Sequence, residues 1–158
     1  MGFIVNEKHL RGSVNSKNFR PLTSILLVDD VAPFRRTLRE LIELRPEFLV
    51  VSEAGDGREA VRLARQYQPE IVILDINLPT VNGFEVARRL SAVAPNAKVI
   101  FLSMENSADI IDEAFRLGAE GYVHKSEVFE LLSALDAIRK GNKFVSSSLG
   151  RRHPRRDQ

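Results

Sequence analysis

The chain of 158 residues contains no cysteine, which excludes a disulfide framework and a thiolate metal centre and fits a reducing compartment. It also lacks any apolar run near the ~20 residues that a bilayer span needs. The longest such stretches, Ile71 to Leu74 among them, are strand-sized. Near the amino terminus the only apolar run is Phe3-Ile4-Val5, where a secretory signal needs about 7 to 15 residues. No membrane association and a cytoplasmic location are the expectations. Histidine is sparse as well. His9, His124 and His153 lie far apart, so a zinc site has little support.

An overall excess of charge of one sign is missing too, but the balance is uneven. The formal net charge is +2, while residues 1–23 and residues 151–158 each carry +3 and residues 24–150 carry −4. The basic character therefore belongs to the ends, and the globular part is mildly acidic. Net charge alone gives no reason to expect nucleic-acid binding.

What is present is ordinary for one folded domain: 44% hydrophobic and 28% charged residues, in a chain long enough for a single sizeable core. Residues 1–23 are polar and aperiodic and read as a flexible leader. From Ser24, short apolar runs rich in β-branched residues recur: Ile25-Leu26-Leu27-Val28, Phe48-Leu49-Val50-Val51, Ile71-Val72-Ile73-Leu74, Val99-Ile100-Phe101-Leu102 and Gly121-Tyr122-Val123. Near-continuous apolarity in the first, third and fourth is expected of strands buried on both faces of a parallel sheet.

Between the runs lie segments with helical spacing. They are marked by Phe34, Leu38 and Leu41; Ala60, Leu63, Ala64 and Tyr67; Phe84, Ala87 and Leu90; Ile110, Ile111, Ala114 and Phe115; and Val128, Leu131, Leu132, Leu135 and Ile138. Asp56 with Glu59, and Asn82 with Glu85, have the spacing of reciprocal helix caps. Pro46 ends the first helix, and Gly118 and Gly141 stand where left-handed caps are wanted. Five strands alternating with five helices predict an α/β domain, a doubly wound parallel sheet with helices on both faces. Its ligand site belongs beyond the carboxyl ends of the strands.

That edge is chemically loaded. The first run ends in Asp29-Asp30, the third in Asp75; the fourth is followed by Ser103, and the fifth, one residue later, by Lys125. Three neighbouring carboxylates repel one another unless a divalent cation or an ammonium relieves them. An oxygen-only ligand set suits magnesium. Bland readings exist for each residue: Asp29 or Asp30 as a helix cap, Asp75 as a loop carboxylate, Ser103 as a turn residue, Lys125 as a solvated lysine, and Tyr122 as a packing residue of a strand.

Taken in order, Leu27-Val28-Asp29-Asp30, the stretch Leu74-Asp75-Ile76-Asn77-Leu78-Pro79-Thr80-Val81-Asn82-Gly83, Phe101-Leu102-Ser103, and Gly118-Ala119-Glu120-Gly121-Tyr122-Val123-His124-Lys125 resemble the receiver domain of bacterial two-component response regulators. The subfamily with a LuxR-type DNA-binding domain is most similar. The resemblance spans roughly residues 24–148. It implies a flavodoxin-like (βα)5 fold of strand order 2-1-3-4-5, with the receiver over residues 24–146 and a basic tail or linker over 147–158. It implies that Asp75 accepts a phosphoryl group from a sensor histidine kinase or phosphotransfer protein. Asp30, Asp75 and the backbone carbonyl of Asn77 would hold Mg2+, with Asp29 acting through water. Ser103 and Lys125 would grip the phosphoryl oxygens, and Tyr122 would be the aromatic switch. Output through the fourth helix, fifth strand and fifth helix, and a homodimer on phosphorylation, follow from the same resemblance.

Several positions depart from the family pattern. Met104 is bulky where a small residue is usual and is expected to narrow access to Asp75. Ser126 replaces a common proline, so a cis peptide is not expected there. Asn77 and Glu105 occupy positions that tune phosphoryl loss, and their polarity predicts a short-lived phosphoryl state. His124 is assigned no chemistry. Only ten residues follow Ser148, too few for a helix-turn-helix, so no DNA-binding domain is expected within these residues. The rival readings are a nucleic-acid binder acting through the arginine tail, a receiver-like module that is never phosphorylated, a receiver fragment of a LuxR-type regulator, and, last, a phosphoaspartate hydrolase.

Overall fold

A computed structural model describes residues 21–150. The expected leader over residues 1–20 and the arginine-rich residues 151–158 lie outside the described residues. The elements alternate as predicted: β1 (Thr23–Val28), α1 (Ala32–Glu43), β2 (Phe48–Ala54), α2 (Gly57–Tyr67), β3 (Ile71–Leu74), α3 (Gly83–Val93), β4 (Lys98–Ser103), α4 (Ala108–Arg116), β5 (Gly121–His124), α5 (Leu131–Arg139), β6 (Phe144–Val145) and a single turn, α6 (Ser147–Gly150). All strand pairs are parallel, in the order β2-β1-β3-β4-β5-β6.

The continuous apolarity of the central strands has a direct cause. Successive side chains of a strand point to opposite faces, and here both faces are covered. Leu26, Val28, Val72, Leu74, Val99 and Phe101 pack with α2, α3 and α4. Ile25, Leu27, Ile71, Ile73, Ile100 and Leu102 pack with α1 and α5. Edge strand β2 reads differently, with Leu49 47% exposed between buried Phe48 and Val50.

Two features depart from the sequence expectation. Among the described residues the sheet has six strands rather than five: Gly121 and Tyr122 pair with Phe144 and Val145, a run too short to register as a strand in sequence. The fifth helical segment is also split. Residues Lys125–Glu130 form a 3₁₀ stretch with a non-helical Glu127 (φ −118°, ψ 36°) before α5 begins.

The punctuation holds in outline. Gly118 and Gly141 adopt φ of 94° and 82°. Asp56 and Asn82 cap α2 and α3 by accepting from the Glu59 and Glu85 amides at 2.9 and 3.0 Å. The reciprocal arms differ: the Glu59 carboxylate reaches the Gly55 amide at 3.5 Å, and that of Glu85 turns to Arg88 and Arg89. Tyr67, the last residue of α2, is exposed rather than in the core.

Candidate acidic site at the carboxyl edge of the sheet

Neighbouring strands place the first two carboxylates side by side. Val28 pairs with Leu74, so Asp29 and Asp75 are the first residues beyond adjacent strands. The Asp29 amide donates to the Ala54 carbonyl at 3.1 Å and that of Asp75 to the Val28 carbonyl at 2.9 Å. Both side chains are buried, while Asp30 is exposed. One carboxylate oxygen from each of the three lies within 4.8 Å of the others.

Lys125 enters this nest from the far end of β5. Its ammonium donates to Asp29 Oδ2 at 2.6 Å and to Asp75 Oδ2 at 2.9 Å. Burial opposes that charge, but hydrogen bonding and attraction from Asp29 and Asp75 outweigh it and hold the Lys125 pKa above its usual range. The Phe34 ring of α1 also lies 4.8 Å from the ammonium, a cation–π distance. Sequence periodicity marked Phe34 only as a helical position facing the core; its seat over Lys125 depends on how α1 docks.

Asp75 feels opposing influences. Burial raises its pKa above the ordinary carboxylate value; Lys125 and the Asn77 amide, which donates to Oδ1 at 3.1 Å, pull it back. The net direction is upward, so this carboxylate is poorly compensated by the protein alone. Asn77 itself is exposed, two residues along the loop. That loop folds back tightly because α3 starts at a glycine: the Gly83 amide donates to the Ile76 carbonyl at 2.7 Å, and a Cβ there would lie 2.2 Å from the Asp75 carbonyl oxygen.

The bland cap reading of Asp29 is partly true. Its Oδ1 accepts from the Val31 amide at 2.8 Å while Oδ2 faces Lys125, so one carboxylate does both tasks. Asp29 is not the cap residue of α1; that position is Val31, which makes no side-chain cap.

Ser103, the last residue of β4, is fully buried, and its hydroxyl accepts from the Glu105 amide at 3.1 Å. Leu74 pairs with Phe101, so Ser103 stands one residue beyond the level of Asp75 on the adjoining strand. Tyr122 is fully buried, and its hydroxyl donates to the Glu105 carbonyl at 2.8 Å. Burial pushes the phenol pKa up to about 12, opposed by the Ser103 hydroxyl and reinforced by the charges of Glu105 and Asp75. The ring is therefore turned inward against Phe101, with centroids 6.5 Å apart. Met104 is 60% exposed. The Lys125–Ser126 peptide is trans, as are all described ones.

One contributor to this edge escaped the sequence reading. The His124 imidazole contacts the Met104 carbonyl through Nε2 at 2.9 Å and Ser126 through Nδ1. An isolated histidine at a strand end gives no signal of such partners.

A doubly wound parallel sheet with an acidic nest and a lysine at its carboxyl edge defines a class of α/β domain, and comparison with known proteins places the chain within it. The profile of the response regulator receiver domain matches residues 25–136; the chain belongs to that family. Among curated relatives, the transcriptional regulatory protein DegU of Brevibacillus brevis is 33% identical over 122 residues, covering 77% of this chain and 52% of DegU. The nitrate/nitrite response regulator NarL of Escherichia coli K12 is 33% identical over 133 residues, covering 84% of this chain and 61% of NarL. The chain thus spans little more than half the length of these relatives. Among solved structures, a LuxR-family two-component response regulator from Aurantimonas is 37% identical with a TM-score of 0.79, covering 82% of this chain and 94% of that one. The isolated receiver domain of RcsB from Salmonella enterica, solved with the phosphomimetic BeF3−, is 25% identical with a TM-score of 0.78, covering 82% and 97%. The sheet order contains the 2-1-3-4-5 arrangement expected of the family, and the chain is a receiver domain of the NarL/LuxR type, a signalling domain rather than a conventional enzyme. Among the described residues no helix is long and apolar enough to cross a membrane.

Proposed function

We propose that this receiver is a phosphorylation switch in which Asp75 accepts a phosphoryl group from a phosphohistidine on a sensor histidine kinase or phosphotransfer protein. The observation that carries the reading is the burial of Asp75 within hydrogen-bonding distance of Lys125 and beside two further carboxylates. Such an arrangement is costly unless the site handles a cation and an anion together.

A carboxylate oxygen of Asp75 attacks phosphorus in line with the departing imidazole nitrogen. The new O–P bond forms as the N–P bond breaks, and the electron pair leaves with the imidazole. Such transfers ask mainly for positioning and charge neutralisation. Lys125, already on Asp75, supplies positive charge to the incoming phosphoryl oxygens. The Ser103 hydroxyl, on the adjacent strand, accepts from the Glu105 amide and keeps its own proton to donate to another of them.

The donor set fits magnesium: every candidate ligand is a hard oxygen, and the raised Asp75 pKa marks a carboxylate still short of positive charge. Asp30, Asp75 and the Asn77 backbone carbonyl would hold Mg2+, with Asp29 acting through water. Bound there, the ion would neutralise phosphoryl oxygens and orient the attack.

Output runs through the surface of α4, β5 and α5, where Ser103 and Tyr122 meet the β4–α4 loop, and includes homodimerisation there. We take residues 24–146 as the receiver unit, with 1–23 and 147–158 as flanking segments, acting in the cytoplasm. The relatives named as transcriptional regulators support gene control as the process served.

The direct test is intact mass after incubation with a small phosphodonor and Mg2+. The wild type should gain about 80 Da, one phosphoryl group, and Asp75→Asn should gain nothing. A wild type that stays unmodified would favour the unphosphorylated module.

A further inference from the structure

Two side chains of β5 reach across to the loop that follows Ser103, and only one has a role in the switch described above. Tyr122 and His124 are two residues apart on a strand, hence on one face. Tyr122 donates to the Glu105 carbonyl at 2.8 Å, and His124 Nε2 lies 2.9 Å from the preceding carbonyl, that of Met104. A carbonyl oxygen can only accept, so Nε2 donates to it.

Nδ1 has its own partners: the Ser126 amide donates to it at 3.2 Å, and the Ser126 hydroxyl lies at 2.6 Å. A proline at position 126 would have no amide to give. The imidazole thus ties together two segments that share no other side-chain bridge among the hydrogen bonds described. One is the β4–α4 loop beginning at Ser103; the other is the turn from which Lys125 reaches Asp29 and Asp75. The strand beneath is fixed independently, since the His124 amide donates to the buried Ser146 hydroxyl at 2.7 Å.

We propose that His124 is a positioning residue, a second latch beside Tyr122 that holds the β4–α4 loop in its inward arrangement and fixes that loop's register against Lys125. The inference rests on the phosphorylation reading and deepens it. With Met104 O held by His124 and Glu105 O by Tyr122, the loop is pinned at two successive carbonyls. The latch shifts the switch toward the conformation in which Tyr122 is buried, so the acceptor site needs less rearrangement on phosphorylation.

Composition makes the test clean, because Tyr67 and Tyr122 are the only tyrosines. Tyr67 is 46% exposed and Tyr122 fully buried, so a protein labelled with ring-13C tyrosine gives two distinguishable signal sets. The full chain is compared as wild type, His124→Leu, which keeps bulk without either nitrogen, and His124→Gln, whose amide can still donate and accept. In His124→Leu the unphosphorylated Tyr122 signal should move toward the solvent-exposed position, and the rate of modification by a small phosphodonor with Mg2+ should fall about fivefold. That is the population change expected from one hydrogen bond of ordinary net strength. His124→Gln should restore at least half of both effects. Unchanged Tyr122 signals and rate in a folded His124→Leu protein would overturn the latch, and so would an equal loss in His124→Gln. If no protein, wild type included, is modified at Asp75, the phosphorylation reading fails, while the Tyr122 signals still decide whether His124 holds the loop.

Discussion

Burial and charge pull the Asp75 carboxyl in opposite directions, and burial wins. A carboxyl whose folded pKa lies above its unfolded value adds stability that is fully present below the unfolded pKa and is lost as pH rises through the folded pKa. Without divalent metal, the wild type should therefore lose stability relative to Asp75→Asn as pH rises from the acid range to neutrality. Thermal melts of the two proteins across that range check the sign, and parallel curves would show that Asp75 is not under this strain. Mg2+ should stabilise the wild type more at neutral than at acid pH, and Asp75→Asn less than the wild type at neutral pH. The Asn77 and Glu105 side chains are exposed, so their amide and carboxylate can order water for the proposed acceptor. The phosphoryl state should be short-lived, and Glu105→Ala should lengthen its lifetime, as followed by the decay of the phosphorylated mass. An intact phosphoprotein after many hours at neutral pH with Mg2+ would contradict this.

At the scale of elements, the loop between β3 and α3 shows how tightly the site is built into the backbone. Gly83 permits α3 to begin against the peptide that follows Asp75, and any Cβ there meets that peptide's oxygen at 2.2 Å. Gly83→Ala should cost about 3 kcal/mol, the upper range for overpacking, and should slow phosphorylation because Asp75 moves with the displaced backbone. Urea denaturation followed by circular dichroism, together with the mass assay, measures both. In the same loop Thr80 adopts φ of 70°, a conformation that disfavours a β-branched residue. Thr80→Gly should be neutral or stabilising by up to about 1 kcal/mol, because relief of strain competes with a looser unfolded chain. The 3₁₀ stretch after β5 is an element that periodicity could not separate from α5: Val128 keeps the helical spacing, while Glu127 leaves the helical region before α5 begins.

For the whole molecule, one sheet serves two apolar layers, so damage to either should be felt in both. Phe101 is buried in one layer between Phe84 and Tyr122, and Ile138 is buried in the other. Phe101→Ala should cost about 3–5 kcal/mol and Ile138→Ala about 2–5 kcal/mol. Each variant should still unfold in a single transition with coincident fluorescence and circular dichroism curves. Separate transitions would mean that the two layers fold independently. Within the layer of α1 and α5, polar ties at the opposite end of the sheet join the two helices: Arg45, just beyond α1, donates to Asp136 of α5 at 2.8 and 3.1 Å and also pairs with Glu47.

The sequence by itself determined the α/β alternation, the two-sided burial of β1, β3 and β4, the glycine caps, and the meeting of Asp29, Asp30, Asp75, Ser103 and Lys125 at one edge. Local physics suffices for these, because hydrophobic period fixes element type and parallel strands bring their carboxyl ends to a common side. Tertiary structure alone decided the rest. The two-residue β6 exists only because β5 offers a free edge to pair with, and Phe34 lies over Lys125 only because α1 docks where it does. His124 reads as an unremarkable strand-end residue until folding brings the Met104 carbonyl and the Ser126 amide to opposite sides of its ring. Contacts between segments distant in sequence leave no periodic trace along the chain, and in this receiver they set how the charged groups of the acidic edge are held.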